Sequence, residues 1–285
     1  MAILILVATL GPRAGGQEPP LPDLQAFLKE TRQRLEPDEV RQSGYMYVET
    51  RRQLRLDGSG RATREAVKVY ESYPGLPGEG RWERLIAEDG QSVAPAELAK
   101  QDRERQRKVM EFVQKRERDP EKVAAAEARQ RAKDRRELEA ALDDAMQVFE
   151  VRMLGREAVG GHGTVLLSFA PRRNVKPRTK AGRMMSHFSG RAWVSETEYE
   201  LVRMEAEALD DLSFGLGLLA RVHKGSKATF ERRKVNGEVW LPASADYTAS
   251  ARVMLVRRLR VGGTSEFSDY RKFTVATETS GVRVQ

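Results

Sequence analysis

From Phe149 to Val275, on either side of a basic loop "RRNVKPRTKAGRMMSHF", the sequence falls into runs that alternate apolar and polar residues and are joined mostly by short turns. Period two is the side-chain repeat of a β-strand, and turns this short join only antiparallel neighbours, because parallel strands need a crossover of about a dozen residues or more. "FEVRMLGRE" and "TVLLSFAP" are predicted to pair across "AVGGHG", with Phe149, Val151 and Met153 alternating in the first and Val165, Leu167 and Phe169 in the second. "RAWVS" leads into "YELVRMEAEAL", where Val202, Met204, Ala206 and Ala208 share one face and Arg203, Glu205 and Glu207 the other. Asn236-Gly237 is the strongest hairpin signal in the chain.

The front half supplies three more strands. "SGYMYVETRRQLRL" alternates Met46, Val48, Thr50, Leu54 and Leu56 with Tyr45, Tyr47, Glu49, Arg51, Gln53 and Arg55, so the first set is expected to face the interior. "DGSG" turns it into "ATREAVKVYESY", and "WERLIAED" follows. Ahead of these, "LPDLQAFLKETRQRL" places Leu24, Phe27, Leu28 and Leu35 on one helical stripe with Asp23 as N-cap, an amphipathic helix that must lie on something apolar. From about 96 to 147 the composition turns to Ala, Glu, Lys, Arg and Gln, which predicts helix, and Asp119-Pro120 divides it in two. The fold class is mainly β (α+β): about ten or eleven antiparallel strands forming an open half-barrel, with covering helices and a charged helical insertion.

The apolar run "AILILVATL" is too short to span a bilayer, and Ala14 and Gly16 satisfy the small-x-small rule of signal peptidase, a buried first strand being the alternative reading. The expected organisation is a cleaved signal peptide over 1–16 and a single domain over 17–285, exported to the periplasm. The chain has no cysteine, which excludes thiolate catalysis, cysteine-ligated zinc and disulfides. Formal charge is +8, but acidic and basic residues nearly cancel between 97 and 144, so the excess is weak evidence for nucleic acid, which is not an expected partner.

The leading helix, the long sheet broken by helices after its third strand, and the phrases "GRAWVSETEYELVRMEAE" and "NGEVWLPASADY" together resemble the LolA/LolB-like outer-membrane lipoprotein-sorting superfamily. That resemblance implies a half-barrel closed by helices, with an apolar cavity for acyl chains, and a non-enzymatic carrier of a lipid or lipidated protein. The long charged insertion departs from a plain carrier and suggests contact with an envelope protein. A barrel with a filled core, acting as an interaction or sensor protein, is the alternative.

No metal site, cofactor or catalytic residue is expected. His162, His187 and His223 are far apart in loop-like contexts, and no G-x-S-x-G, Walker-type or H-E-x-x-H string occurs. "SFGLGLLA" contains G-x-G-x-x-A, but outside the strand-to-helix setting that a dinucleotide site needs. Candidate lipid contacts are Met46, Val48, Leu54, Phe169, Val202, Met204, Phe214, Leu216 and Leu218. Arg172, Arg173, Lys176, Arg178 and Lys180 are candidates for an anionic surface, giving peripheral membrane contact.

Overall fold

A computed structural model describes residues 19–35, 38–57, 59, 61–214, 220–253 and 257–272. The proposed signal peptide, Leu216 and Leu218 lie outside the described residues, as does most of the G-x-G-x-x-A string. Helix α1 (Leu24–Arg34) starts where the Asp23 carboxylate accepts a hydrogen bond from the Ala26 amide at 2.8 Å. A short α2 (Asp38–Arg41) and a 3-10 turn over Gln42–Gly44 lead into β1 (Tyr45–Leu56), β2 (Ala62–Tyr73), β3 (Trp82–Glu88) and β4 (Gln91–Ser92). Helices α3 (Pro95–Arg118) and α4 (Pro120–Val148) follow, divided at Asp119, whose carboxylate accepts from the Lys122 amide. The remainder is β5 (Phe149–Val159), β6 (His162–Pro171), α5 (Lys180–Met185), β7 (Phe188–Ser195), β8 (Leu201–Ala208), β9 (Leu212–Phe214), β10 (Ala220–Val222), β11 (Lys227–Val235), β12 (Val239–Val253) and β13 (Arg257–Lys272).

These strands build one antiparallel sheet in the order β4-β3-β2-β1-β13-β12-β11-β8-β7-β6-β5, with the short β9 and β10 branching from β12. The first long strand thus pairs with the last, Tyr45 opposite Lys272 through Leu56 opposite Arg260. Among the described residues β5 pairs with β6 alone and the other end of the sheet stops at β4, so the sheet is not closed and has the form of a half-barrel. Asn236 and Gly237 both take positive φ (52° and 69°), the left-handed pair that a two-residue hairpin needs to match strand twist.

The open edge of β3 is managed by the insertion. The Gln101 side chain accepts from the Leu85 amide (2.9 Å) and donates to its carbonyl (3.1 Å), imitating a further strand. Arg84 pairs with Asp102 at 2.8 Å, and the Arg105 guanidinium lies 5.7 Å from the centre of the Trp82 ring. The first turns of α3 therefore belong to the β-body.

Register assigns the two faces. On the inner face, α1 lays Leu24, Phe27 and Leu28 over Val151, Met153, Val165, Leu167, Ala192 and Val194, with the Phe27 ring 5.4 Å from Tyr199. Burying side chains of this size contributes about 1.5–3 kcal/mol each, which makes this helix-on-sheet contact the main core. A second cluster of Tyr45, Val235 and Leu241, flanked by Val239 and Tyr270, closes the β1–β13 side. The outer face is a charged ladder, Arg191–Glu205–Arg203–Glu231, whose two arginines cover the buried Trp193.

Candidate functional site

Two cross-strand rows on the inner face form the candidate site. One runs Phe169, Gly190, Ala206, Ala228, Tyr247, Gly263, Gln53, each directly opposite the next. The other runs Leu167, Ala192, Met204, Phe230, Ala245, Ser265, Arg51. Between Phe169 and Tyr247 the first row holds only Gly and Ala; the Phe169 ring overlies Gly190, so the floor is low over Ala206 and Ala228, and the second row stands above it through Met204 and Phe230. The result is a shallow apolar trough across β7, β8, β11 and β12.

Close approach at Gly190 fixes the floor. A Cβ on Gly190 would stand 1.9 Å from the Glu205 carbonyl oxygen and 2.7 Å from Phe169 Cζ, so only glycine lets the Phe169 ring lie across β7. On the other flank of Phe169 the Phe149 ring sits edge-on at 5.0 Å, which makes an aromatic wall at this end. Helix α1 covers β5 to β7 but leaves the middle of the trough partly open: Met204, Ala206, Phe230 and Phe267 are half-buried, Ala228 is exposed, and Tyr247 is 46% exposed.

The far end is polar and internally hydrogen-bonded. Arg51 bonds both oxygens of Glu49 (2.6 and 2.7 Å), reaches Glu83 at 2.8 Å through Nη1, and lies 4.6 Å from the centre of the Tyr70 ring. Its hydrogen bonds to the Glu49 and Glu83 carboxylates raise the guanidinium pKa further, so Arg51 stays charged at every accessible pH. These three groups satisfy one another and bound the apolar stretch.

Phe169 and Met204 stand on the inner face by register, whereas Val202, 2% exposed, falls at the register shift of β8 with no partner across β7 and is buried rather than open to a ligand. Met46, Val48 and Leu54 are corrected. Glu49 stands opposite Phe267 and Gln53 opposite Gly263, so the inner side of β1 is Tyr45, Tyr47, Glu49, Arg51 and Gln53, and the three apolar candidates face outward. The cause is tertiary. Tyr47 packs its ring on Phe267 and Tyr270 and takes the Arg81 guanidinium 4.5 Å above it, while Arg81 also donates to the Gln42 and Tyr45 carbonyls. Phe214 ends β9, and its side chain is outside the described residues, like Leu216 and Leu218.

The histidines do not converge. His162 packs its ring 4.6 Å from Trp240, His187 contacts Asp210 at 2.6 Å, and His223 contacts Asp211 at 2.9 Å. Among the described residues no group of three potential metal ligands occurs, and no helix is long and apolar enough to cross a membrane. Sequence reasoning missed the small-residue row, because Gly190, Ala206, Ala228 and Gly263 come from four different strands and align only through register.

No family model and no curated protein matches the sequence. Among solved structures the chain is similar to an outer membrane lipoprotein-sorting protein domain from Vibrio parahaemolyticus, at 12% identity and TM-score 0.35, over 89% of this chain and 94% of that one. It is also similar to a LolA superfamily protein from Nitrosomonas europaea, at 8% identity and TM-score 0.28, over 88% and 94%. A third likeness is to a DUF1329 family protein from Desulfovibrio piger, at 12% identity and TM-score 0.30, over 87% and 92%. These likenesses are low in identity and in TM-score, and the functional reading rests on the trough itself.

Proposed function

We propose that this protein is a non-enzymatic periplasmic carrier whose inner trough holds the acyl chains of a lipid or a lipidated protein. The observation that carries the reading is the low apolar row between Phe169 and Tyr247, bounded by rings at both ends and left partly uncovered by α1. Beyond the Phe169 ring, which overlies Gly190, three inter-strand steps of about 4.8 Å give a floor of roughly 14 Å, the scale of an extended run of about a dozen methylenes. Each fully buried methylene contributes about 0.8 kcal/mol, so a dozen half-covered methylenes contribute about 5 kcal/mol and a second chain about as much again. Association costs of several kcal/mol then leave one chain weakly held and two chains retained, which favours a diacyl ligand over a free fatty acid.

Native mass spectrometry of protein purified from its own cells is the test. Adducts at the mass of a phospholipid or acylated peptide are expected. Protein that carries no adduct and gives no saturable binding of a fluorescent fatty acid would overturn the reading.

A further inference from the structure

The segment between β6 and β7 carries Arg172, Arg173, Lys176, Arg178, Lys180 and Arg183, and between Arg172 and Arg183 it contains no acidic residue. Elsewhere the cations are extensively paired: Arg51, Arg84, Arg156, Arg191 and Arg203 all hold carboxylates. None of the six makes an ion pair among the described residues; Arg172 and Arg178 lend only their field to Glu150 and Asp144. All six are exposed.

The segment is nevertheless built. Asp144 of α4, 1% exposed, accepts from the Arg178 amide (3.2 Å), the Thr179 amide (2.6 Å) and the Thr179 hydroxyl (2.7 Å). Thr179 in turn caps α5 by accepting from the Gly182 amide at 2.8 Å. A Cβ on Gly182 would stand 2.2 Å from Asp144 Oδ2, so the backbone is drawn tight against the carboxylate. At the other end the Arg172 amide bonds the Val148 carbonyl at 2.7 Å. The backbone is tied inward while the six cationic residues stay exposed; Arg172 Nε donates to the Phe149 carbonyl (2.9 Å) and Arg183 Nη1 to the Arg178 carbonyl (3.3 Å), neither to a carboxylate, and Met184, 48% exposed, follows on α5. Strand β6 leaves the sheet two residues after Phe169, so this surface forms the rim at the aromatic end of the trough.

We infer that this rim is a docking surface for an anionic phospholipid bilayer, with the six cations against headgroup phosphates and Met184 at the interface. Charge complementarity commits the occupant: six unpaired cations on an anchored backbone beside an exposed apolar side chain match a polyanionic plane with an apolar interior. Nucleic acid is disfavoured, since the segment has no aromatic residue between its cations on which bases could stack. The surface is separate from the trough, so the two can fail independently.

Co-sedimentation of the full chain with vesicles of phosphatidylglycerol and phosphatidylethanolamine tests the inference, with phosphatidylcholine vesicles as reference. Binding to the anionic vesicles, weakened by salt, is expected. Each neutralised cation should weaken it about fivefold, so Arg173→Gln, Lys176→Gln and Lys180→Gln together should lower the partition coefficient about a hundredfold. The equivalent triple variant on α3, Lys100→Gln, Lys108→Gln and Lys115→Gln, should leave it near wild type. Both triples are checked for an unchanged thermal transition and unchanged fatty-acid probe binding. Equal losses in the two triples, no anionic-vesicle binding by the wild type, or preferential capture of a DNA duplex over the vesicles would overturn the inference.

Discussion

Ala228 sits on the trough floor, directly between Ala206 and Tyr247, and is exposed, so a larger side chain there has room to extend without displacing the core. Ala228→Trp should therefore keep the fold and obstruct the ligand. An indole lying across the floor fills about one inter-strand width, roughly 4.8 Å, and displaces on the order of four methylenes of a bound chain. At about 0.4 kcal/mol per half-covered methylene the loss is about 1.6 kcal/mol, which weakens binding about fifteenfold. Thr248→Trp is the control: it adds the same side chain to the neighbouring strand, on the opposite face and at an exposed position. Fluorescent fatty-acid titration of both variants, with thermal unfolding alongside, provides the readout. Equal affinities for the two variants, or a fall in both, would refute the assignment of the inner face as the binding surface.

Further outcomes follow from the same geometry. Met204→Glu, on a half-buried trough position, should fold and lose acyl-probe binding, whereas Val202→Glu places a carboxylate in a site 2% exposed, costs several kcal/mol, and should abolish the cooperative thermal transition. Gln101→Ala removes both bonds to the Leu85 backbone and should cost about 1 kcal/mol, lowering Tm by about 2 °C by calorimetry. The Thr179 amide and hydroxyl hold the Asp144 carboxyl below the usual carboxylate range. Its contribution is thus complete above the unfolded value near 4 and is lost as pH falls through the lower folded value. Chemical denaturation from pH 6 downward should show this loss in the wild type and a smaller pH dependence in Asp144→Asn.

Legibility in the sequence followed the range of the interactions. Helix α1 was readable because its stripe and its Asp23 cap are local, and the Asn236-Gly237 hairpin because its turn chemistry is local. The helix break at Asp119-Pro120 was equally plain. The orientation of β1 was not readable, since both its faces carry apolar atoms. Met46 and Val48 look more hydrophobic than Tyr45 and Tyr47, yet Tyr270, Phe267 and Arg81, distant in sequence, provide the contacts that turn the tyrosines inward. Glu49 and Arg51 tolerate the inner side because they neutralise each other. The role of Gln101 was also hidden, because it depends on which strand edge the insertion meets. The floor of the trough needed the pairing of β8 with β11, across the β9–β10 excursion, which no local pattern announces.

Methionine-methyl NMR tests the central claim most directly, because the sheet places Met204 on the inner face and Met46 on the outer. With 13C-methyl methionine incorporated, titration with a diacyl phospholipid below its critical aggregation concentration should shift the Met204 methyl saturably and leave that of Met46 in place. A saturable shift at Met46 with none at Met204, or no saturable shift at either, would contradict an acyl-binding trough on the inner face.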